Sequence, residues 1–232
     1  MDDLRLVPIA RIQNDFTSKF GLPRQSGLIQ TLESTLVFEP EFRNPDSLRG
    51  LEGYTHIWLI WGFSENIREG WSPMVRPPRL GGNQKMGVFA TRSPFRPNPL
   101  GLSCVKLQSI NLENPSSPTL TLTGADMMNG TPVYDIKPYL PYTDFLPDAV
   151  GGFAHGAPAL PLQVEFPDAL LHQVPAEKQA TLLQVLAADP RPAYQENPER
   201  VYGFGYAGMD IRFRVKDGVL TVVEIVKYFS AR

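Results

Sequence analysis

Between Gly70 and Lys106 every charged side chain is a cation: Arg76, Arg79, Lys85, Arg92, Arg96 and Lys106 stand there with no Asp or Glu among them. Three aromatic rings, Trp71, Phe89 and Phe95, are interleaved with them. Unbalanced positive charge beside stacking faces suits a site that grips an anion by charge and a base by its ring. The plainer account is an ordinary surface loop with solvated arginines. Rigidity argues against it: five prolines lie from Pro77 to Pro99, each fixing φ, removing a donor and pushing the preceding residue to extended backbone. The segment is expected to be a stiff loop system that cannot be helix.

The elements that must hold this loop follow from the pattern on either side. Residues 4–12 alternate as a strand, 28–38 offer a second, and 54–63 (YTHIWLIWGF) form an apolar run expected to be a buried central strand. A turn or short helix is expected over 44–51. Residues 101–110 and 119–123 read as strands, and Asn129-Gly130 marks a tight turn before a strand over 131–136. Many short strands at close spacing indicate a closed or nearly closed β-barrel over 1–145. Residues 146–160 shift to Gly, Ala and Pro, as a linker does. Beyond it, 167–186 carries a helical pattern stopped by Asp189-Pro190. Strands over 201–206, 211–215 and 219–229 follow, the last two joined by Lys216-Asp217-Gly218, so 161–232 is a small α+β domain. The fold class is mainly β, with a barrel and not a Rossmann sheet. Gly203-Phe204-Gly205-Tyr206-Ala207-Gly208 spells G-x-G-x-x-G, but the residues after it alternate as a strand where a phosphate-binding turn needs a helix. Those glycines are expected in a hairpin.

Composition sets outer limits. The 232 residues are 42% hydrophobic and 20% charged, enough for a sizeable core, with a formal net charge of −2 and a pI near 5.9. Nucleic-acid binding would therefore depend on the local cationic patch and not on global charge. The single cysteine, Cys104, excludes internal disulfides and fits a small buried side chain better than a nucleophile. His56 is expected as a core or edge histidine, and neither His155 nor His172 has a metal-spaced partner, so no metal is expected. MDDLRLVPIA is not a signal peptide and no membrane span is present, which points to the cytoplasm.

VRPPRLGGN (75–83) and GVFATRSPFRPNPLG (87–101) resemble the signature of the TsaA-like family, whose bacterial members include TrmO-type tRNA methyltransferases. The likeness continues through FGLPRQSG (20–27), LRGLEGYTHIWLIWGF (48–63), NGTPVYDIKPYLPYTD (129–144) and DPRPAY (189–194), nearly the whole chain. It implies a methyl transfer from S-adenosylmethionine to N6 of a threonylcarbamoyl-adenosine beside the anticodon, by a homodimer. In-line transfer from a sulfonium asks for orientation and a dry pocket more than for a covalent nucleophile. The resemblance places cofactor contacts at Pro23, Arg24, Gln25, Ser64, Glu65, Arg92, Leu102, Asn129, Gly130, Thr131 and Pro132. Family members often carry Asp where this chain has Asn129, an exchange that a backbone contact would survive and a carboxylate contact would not.

An N6 amine is a weak nucleophile, so the site should accept its hydrogen bond and let its proton leave. Asn98, on the turn Arg96-Pro97-Asn98-Pro99, has a suitable carbonyl, although an Asx-turn residue shaping the loop would look the same. Asp135 is a second candidate for proton handling, with Tyr134 beside it. Arg76, Arg79, Lys85 and Arg96 are phosphate candidates, and Arg191, with Arg212 and Arg214, would extend the surface for a tRNA anticodon loop. The alternatives are a non-catalytic RNA-binding barrel using the same surface, or a small-molecule enzyme whose arginines hold a phosphate. Rigid loops converging from several parts of the chain favour an enzyme over a flat binding face.

Overall fold

The computed structural model describes residues 4–64, 70–77, 80, 82–155, 161–191 and 197–228. Six antiparallel strands close into a barrel: β1 (Ala10–Gln13), β2 (Glu33–Phe38), β7 (Thr119–Thr123), β6 (Leu100–Asn111), β3 (His56–Gly62) and β8 (Pro132–Pro138), with β8 returning to β1. Closure leaves no unpaired edge. The apolar run forms β3, flanked by β6 and β8 as every strand of a closed barrel is flanked, and its burial alternates because one face lies outside the barrel. Its inward residues Ile57, Leu59 and Trp61 join Ile12, Leu36, Val105, Leu120, Leu122 and Val133 in the barrel core.

A second, four-stranded sheet follows in the order β10 (Tyr202–Tyr206), β11 (Met209–Lys216), β12 (Val219–Lys227) and β9 (Gln163–Glu165). Lys216-Asp217-Gly218 is the hairpin turn, with φ of 50° at Asp217 and 80° at Gly218, the pair of positive values that a two-residue primed turn requires. Ala207 and Gly208 make a similar turn between β10 and β11. The literal G-x-G-x-x-G therefore lies in a hairpin, as its flanking pattern indicated. Three-residue β9, parallel to β12, had no sequence signal.

Three expectations needed adjustment. After the one-turn α1 (Pro141–Asp144), the helical pattern over 167–186 is two helices, α2 (Asp168–Leu171) and α3 (Ala176–Ala187). They are split at Pro175, which takes extended backbone (ψ 136°) and becomes the cap of α3. Of the first expected strand, 4–12, only 10–12 lies within β1. Only 33–38 of the second is strand, because Ile29 and Leu32 leave the barrel and enter another core. There they join Phe16 and the buried faces of α3, β10, β11 and β12. Three fully buried side chains of this size supply about 1.5–3 kcal/mol each, so the loop 14–32 is shared between the two cores. A hydroxyl pair reinforces this junction, with Thr181 on α3 donating to the Thr31 carbonyl at 2.9 Å.

Candidate functional site at the barrel rim

Strand direction decides where the candidate residues go. β1, β7 and β3 end, and β2, β6 and β8 begin, at one end of the barrel. The connections that leave this rim are 14–32, 63–99 and 124–131. Pro23, Arg24 and Gln25 lie on the first, Ser64, Arg92 and Asn98 on the second, and Asn129 to Thr131 on the third, with Pro132 opening β8. Leu102 and Asp135 stand in the first turns of β6 and β8, both opposite Ile60 of β3, so the three share the outer face. Residues more than a hundred positions apart in sequence, such as Pro23 and Pro132, thus meet at one rim. Glu65, Arg79 and Tyr194 of the DPRPAY motif lie outside the described residues.

The loops are tied to each other by side chains. Arg92 donates through Nη1 to Oε1 of Gln25, joining the second loop to the first. Beneath them lies a chain of hydrogen bonds that sequence reasoning missed. Trp61 Nε1 donates to Ser103 Oγ at 2.9 Å, and Ser103 Oγ donates to Asp126 Oδ1 at 2.6 Å. The Ser26 backbone N–H also donates to Asp126, and the charge of Arg92 acts on it. Burial pushes the Asp126 carboxyl up, against the opposing pull of Ser103, its own N–H, Arg92 and Ser26. One carboxylate on the third loop is thereby bonded to the first loop at Ser26 and to β6 at Ser103, and feels the charge of Arg92 on the second. Gly101 makes room for this arrangement: a Cβ there would come within 2.2 Å of the Trp61 ring, so only glycine lets the indole reach Ser103.

The turn N–H groups of the third loop are bonded within the protein. The N–H groups of Asn129, Gly130 and Thr131 donate to Phe16, Ile12 and Met128 carbonyls at 2.8, 2.7 and 3.2 Å. Thr131 and Pro132 are buried. Asn129 Oδ1 accepts from the Asn14 N–H at 3.2 Å, a bond that an Asp carboxylate would accept equally. A concavity of about 410 Å³ opens between this loop and β1, lined by Arg11, Gln13, Asn14, Asn129 and Gly130.

Asn98 is exposed, its carbonyl accepting from the Leu100 N–H at 2.7 Å, and its side chain has no hydrogen-bond partner among the described residues. Asp135 is half-exposed and paired with Lys137 Nζ at 3.0 Å. Arg76 and Lys85 are exposed, flanking the short hairpin of β4 (Met74–Val75) and β5 (Met86–Gly87). Arg96 Nη1 donates to the Thr91 carbonyl at 3.3 Å and is half-buried.

Arg191 occupies a position unlike that expected of a phosphate ligand. Its guanidinium makes two 2.9 Å bonds to Asp189, and its side chain is 15% exposed. Its carbonyl accepts from Arg24 Nη2 at 3.1 Å. Burial raises the Asp189 carboxyl, but Arg191 and Arg24 outweigh it and leave the group below the usual carboxylate range. Arg212 is likewise engaged by Asp210 at 2.9 Å and Glu224 at 2.7 Å. Asp189 lies only two residues from Arg191, a signal that was present in the sequence. Cys104 is half-buried on the outer face of β6, its thiol pushed up by burial. His56 packs against the Tyr139 ring with centroids 6.2 Å apart.

Among the described residues no helix is long and apolar enough to cross a membrane, and no group of three His, Cys, Asp or Glu is placed to hold a metal ion. The model of the tRNA-methyltransferase O N-terminal domain matches residues 11–145, and that of the TrmO C-terminal domain matches 159–228. The chain is 42% identical over 225 residues to the tRNA (adenine(37)-N6)-methyltransferase of Escherichia coli, covering 94% of this chain and 95% of that protein. It is 41% identical over 214 residues, 89% of this chain and 90% of the relative, to a Pseudomonas aeruginosa protein whose name includes the words S-adenosylmethionine-dependent methyltransferase. The crystal structure of TrmO from Pseudomonas aeruginosa superposes with a TM-score of 0.78 at 31% identity, covering 98% of each chain.

Proposed function

The chain belongs to the tRNA-methyltransferase O family, and we propose that it methylates N6 of threonylcarbamoyl-adenosine beside the tRNA anticodon, with S-adenosylmethionine as donor. The observation that carries this reading is the convergence of three loops at one barrel rim, tied through Arg92, Gln25 and Asp126. A guanidinium, an amide and a partly buried carboxylate at this rim form a set of polar groups that fits a zwitterionic amino acid joined to a flat base. When bound, the cofactor supplies an electrophilic methyl group on sulfur.

The chain's own residues provide orientation. Arg92 pairs with the ligand's carboxylate, and Gln25 holds Arg92 in place before the ligand arrives. Pro23, Arg24 and Ser64 line the same cleft, with Leu102 as its apolar wall. Asn129, Gly130 and Thr131, whose N–H groups are already bonded within the protein, and Pro132, which has none, contribute as a fixed rim, so what they offer a ligand is carbonyl groups and the Asn129 side chain. Asn98 accepts a hydrogen bond from the N6 amine through its side-chain carbonyl. That bond raises electron density on nitrogen and points its lone pair at the methyl group. Asp135, paired with Lys137, takes the departing proton or passes it to water. Arg76, Lys85 and Arg96 hold backbone phosphates of the anticodon loop. Arg191 braces Arg24 and Asp189 and is reassigned from RNA contact to support of the cleft.

The chain acts as a homodimer in the cytoplasm. Tyr142, Phe145, Leu146 and Val150 are 65–86% exposed on one short run after β8, an apolar surface of the kind a second copy covers. Calorimetric titration tests the cofactor reading: saturable binding of S-adenosylmethionine, with none of NADH or a plain nucleotide. Mass spectrometry of tRNA after incubation must then show one added methyl on the modified adenosine. An unmodified tRNA, with cofactor bound, would refute the substrate assignment.

A further inference from the structure

The loop that carries Arg92 also carries a feature the cofactor cleft does not use. Trp71 and Phe89 lie with ring centroids 6.1 Å apart and planes 22° from parallel. The pair is open to solvent, Trp71 at 50% exposure and Phe89 at 72%. Large rings gain most from burial, so a stacked pair left this open is a surface held ready for something flat. Its geometry is set without a ligand. The Ser72 N–H donates to the Phe95 carbonyl at 3.2 Å, the Val88 N–H donates to the Pro73 carbonyl at 3.0 Å, and Val88 is buried beside Phe89. Both rings are thus fixed from neighbouring backbone positions, on the β4–β5 hairpin system of the rim.

The electrostatic surroundings select the partner. The loop contains cations and no carboxylate from Gly70 to Lys106, and Arg76 and Lys85 are exposed on the same hairpin. An acidic peptide would match the charge but makes no use of two near-parallel ring faces. An unstacked base with its phosphates uses both. We propose that Trp71 and Phe89 form the platform on which an unpaired base of the tRNA anticodon loop stacks. The proposal rests on the tRNA reading above and assigns the pair to recognition, separate from methyl transfer.

An RNA hairpin reproducing the anticodon stem and loop is the probe, titrated into the full-length protein. Trp71 is the exposed one of three tryptophans, with Trp61 buried, so stacking should quench fluorescence that is missing in Trp71→Phe. Trp71→Ala and Phe89→Ala should each weaken hairpin binding by about five- to hundredfold, the usual range for one base–ring stack. Trp71→Phe should retain most of the affinity, and calorimetric binding of S-adenosylmethionine should be unchanged in all three. Hairpins with a single abasic loop nucleotide locate the base: at one position the wild type should lose affinity while Trp71→Ala loses none. Equal hairpin binding by wild type and both alanine variants would overturn the platform. So would wild-type protein that ignores the hairpin, a loss in Trp71→Ala that tracks a change in sedimentation mass, or an abasic scan without a matching position. A wild type that binds the hairpin through Trp71 yet methylates no tRNA would leave the platform standing and remove the enzymatic reading.

Discussion

The cations of the barrel-rim loop and two arginines of the C-terminal half, Arg191 and Arg212, keep opposite company. Arg191 is clasped by Asp189 and Arg212 by Asp210 and Glu224, all within 2.9 Å. Arg76, Lys85, Arg92 and Arg96 take part in no ion pair among the described residues, and the stretch from Gly70 to Lys106 that holds them has no carboxylate to offer. Charge that is already matched supports structure, whereas charge left unmatched on a rigid frame keeps its attraction for a ligand. On the proposed reading, the difference assigns ligand binding to the barrel side, with Arg191 and Arg212 holding the frame.

The sharpest way to break that division is Arg92→Ala. It should weaken S-adenosylmethionine binding by about ten- to hundredfold, the range for losing a hydrogen-bonded charge partner, while hairpin RNA binding falls much less. Calorimetry and RNA titration on one preparation decide, and loss of RNA affinity alone would move Arg92 to the phosphate surface. Next comes Gly101→Ala, which drives a methyl into the Trp61 ring and should lower stability by about 1–3 kcal/mol. Its melting temperature should drop, and cofactor binding should drop with it because Trp61 positions Ser103 and Asp126.

Asp189 offers a pH test of the frame. Its folded value lies below the ordinary carboxylate value, so the native state favours the ionised form. Its contribution to stability is present above about pH 4 and is lost as pH falls through the lowered value. Asp189→Asn should therefore melt lower than wild type at neutral pH, and the gap should close in acid. A constant gap across pH would show that packing, and not charge, holds the brace. Smaller still, Arg76→Ala should reduce the salt slope of RNA binding by about one unit, and Arg212→Ala should leave RNA affinity within about twofold.

How far this division was legible depended on how local its signals were. β3, β6, β7 and β8 were readable because alternation or a continuous apolar run extends over five to twelve residues. β4, β5 and β9, of two or three residues, are defined by their partners and had no pattern to read. The cation-only loop was visible because all its members are neighbours in sequence. The bonds joining Trp61, Ser103 and Asp126 span 42 and 23 positions, and nothing in those residue types singles them out before the barrel closes. Arg191 misled for the opposite reason: its partner was two residues away, but pairing depends on the backbone bend at Asp189, where φ is 54°.

The 14–32 loop has a practical consequence for anyone seeking a minimal catalytic fragment. Phe16, Ile29 and Leu32 are each at most 2% exposed only because α3 and the second sheet cover them. A gene cut after Asp144 would produce a barrel with a greasy scar on the rim that carries Gln25 and Ser26, prone to self-association and with its cleft loop unmoored. A shortened version needs polar replacements at those three positions as well as a stop codon.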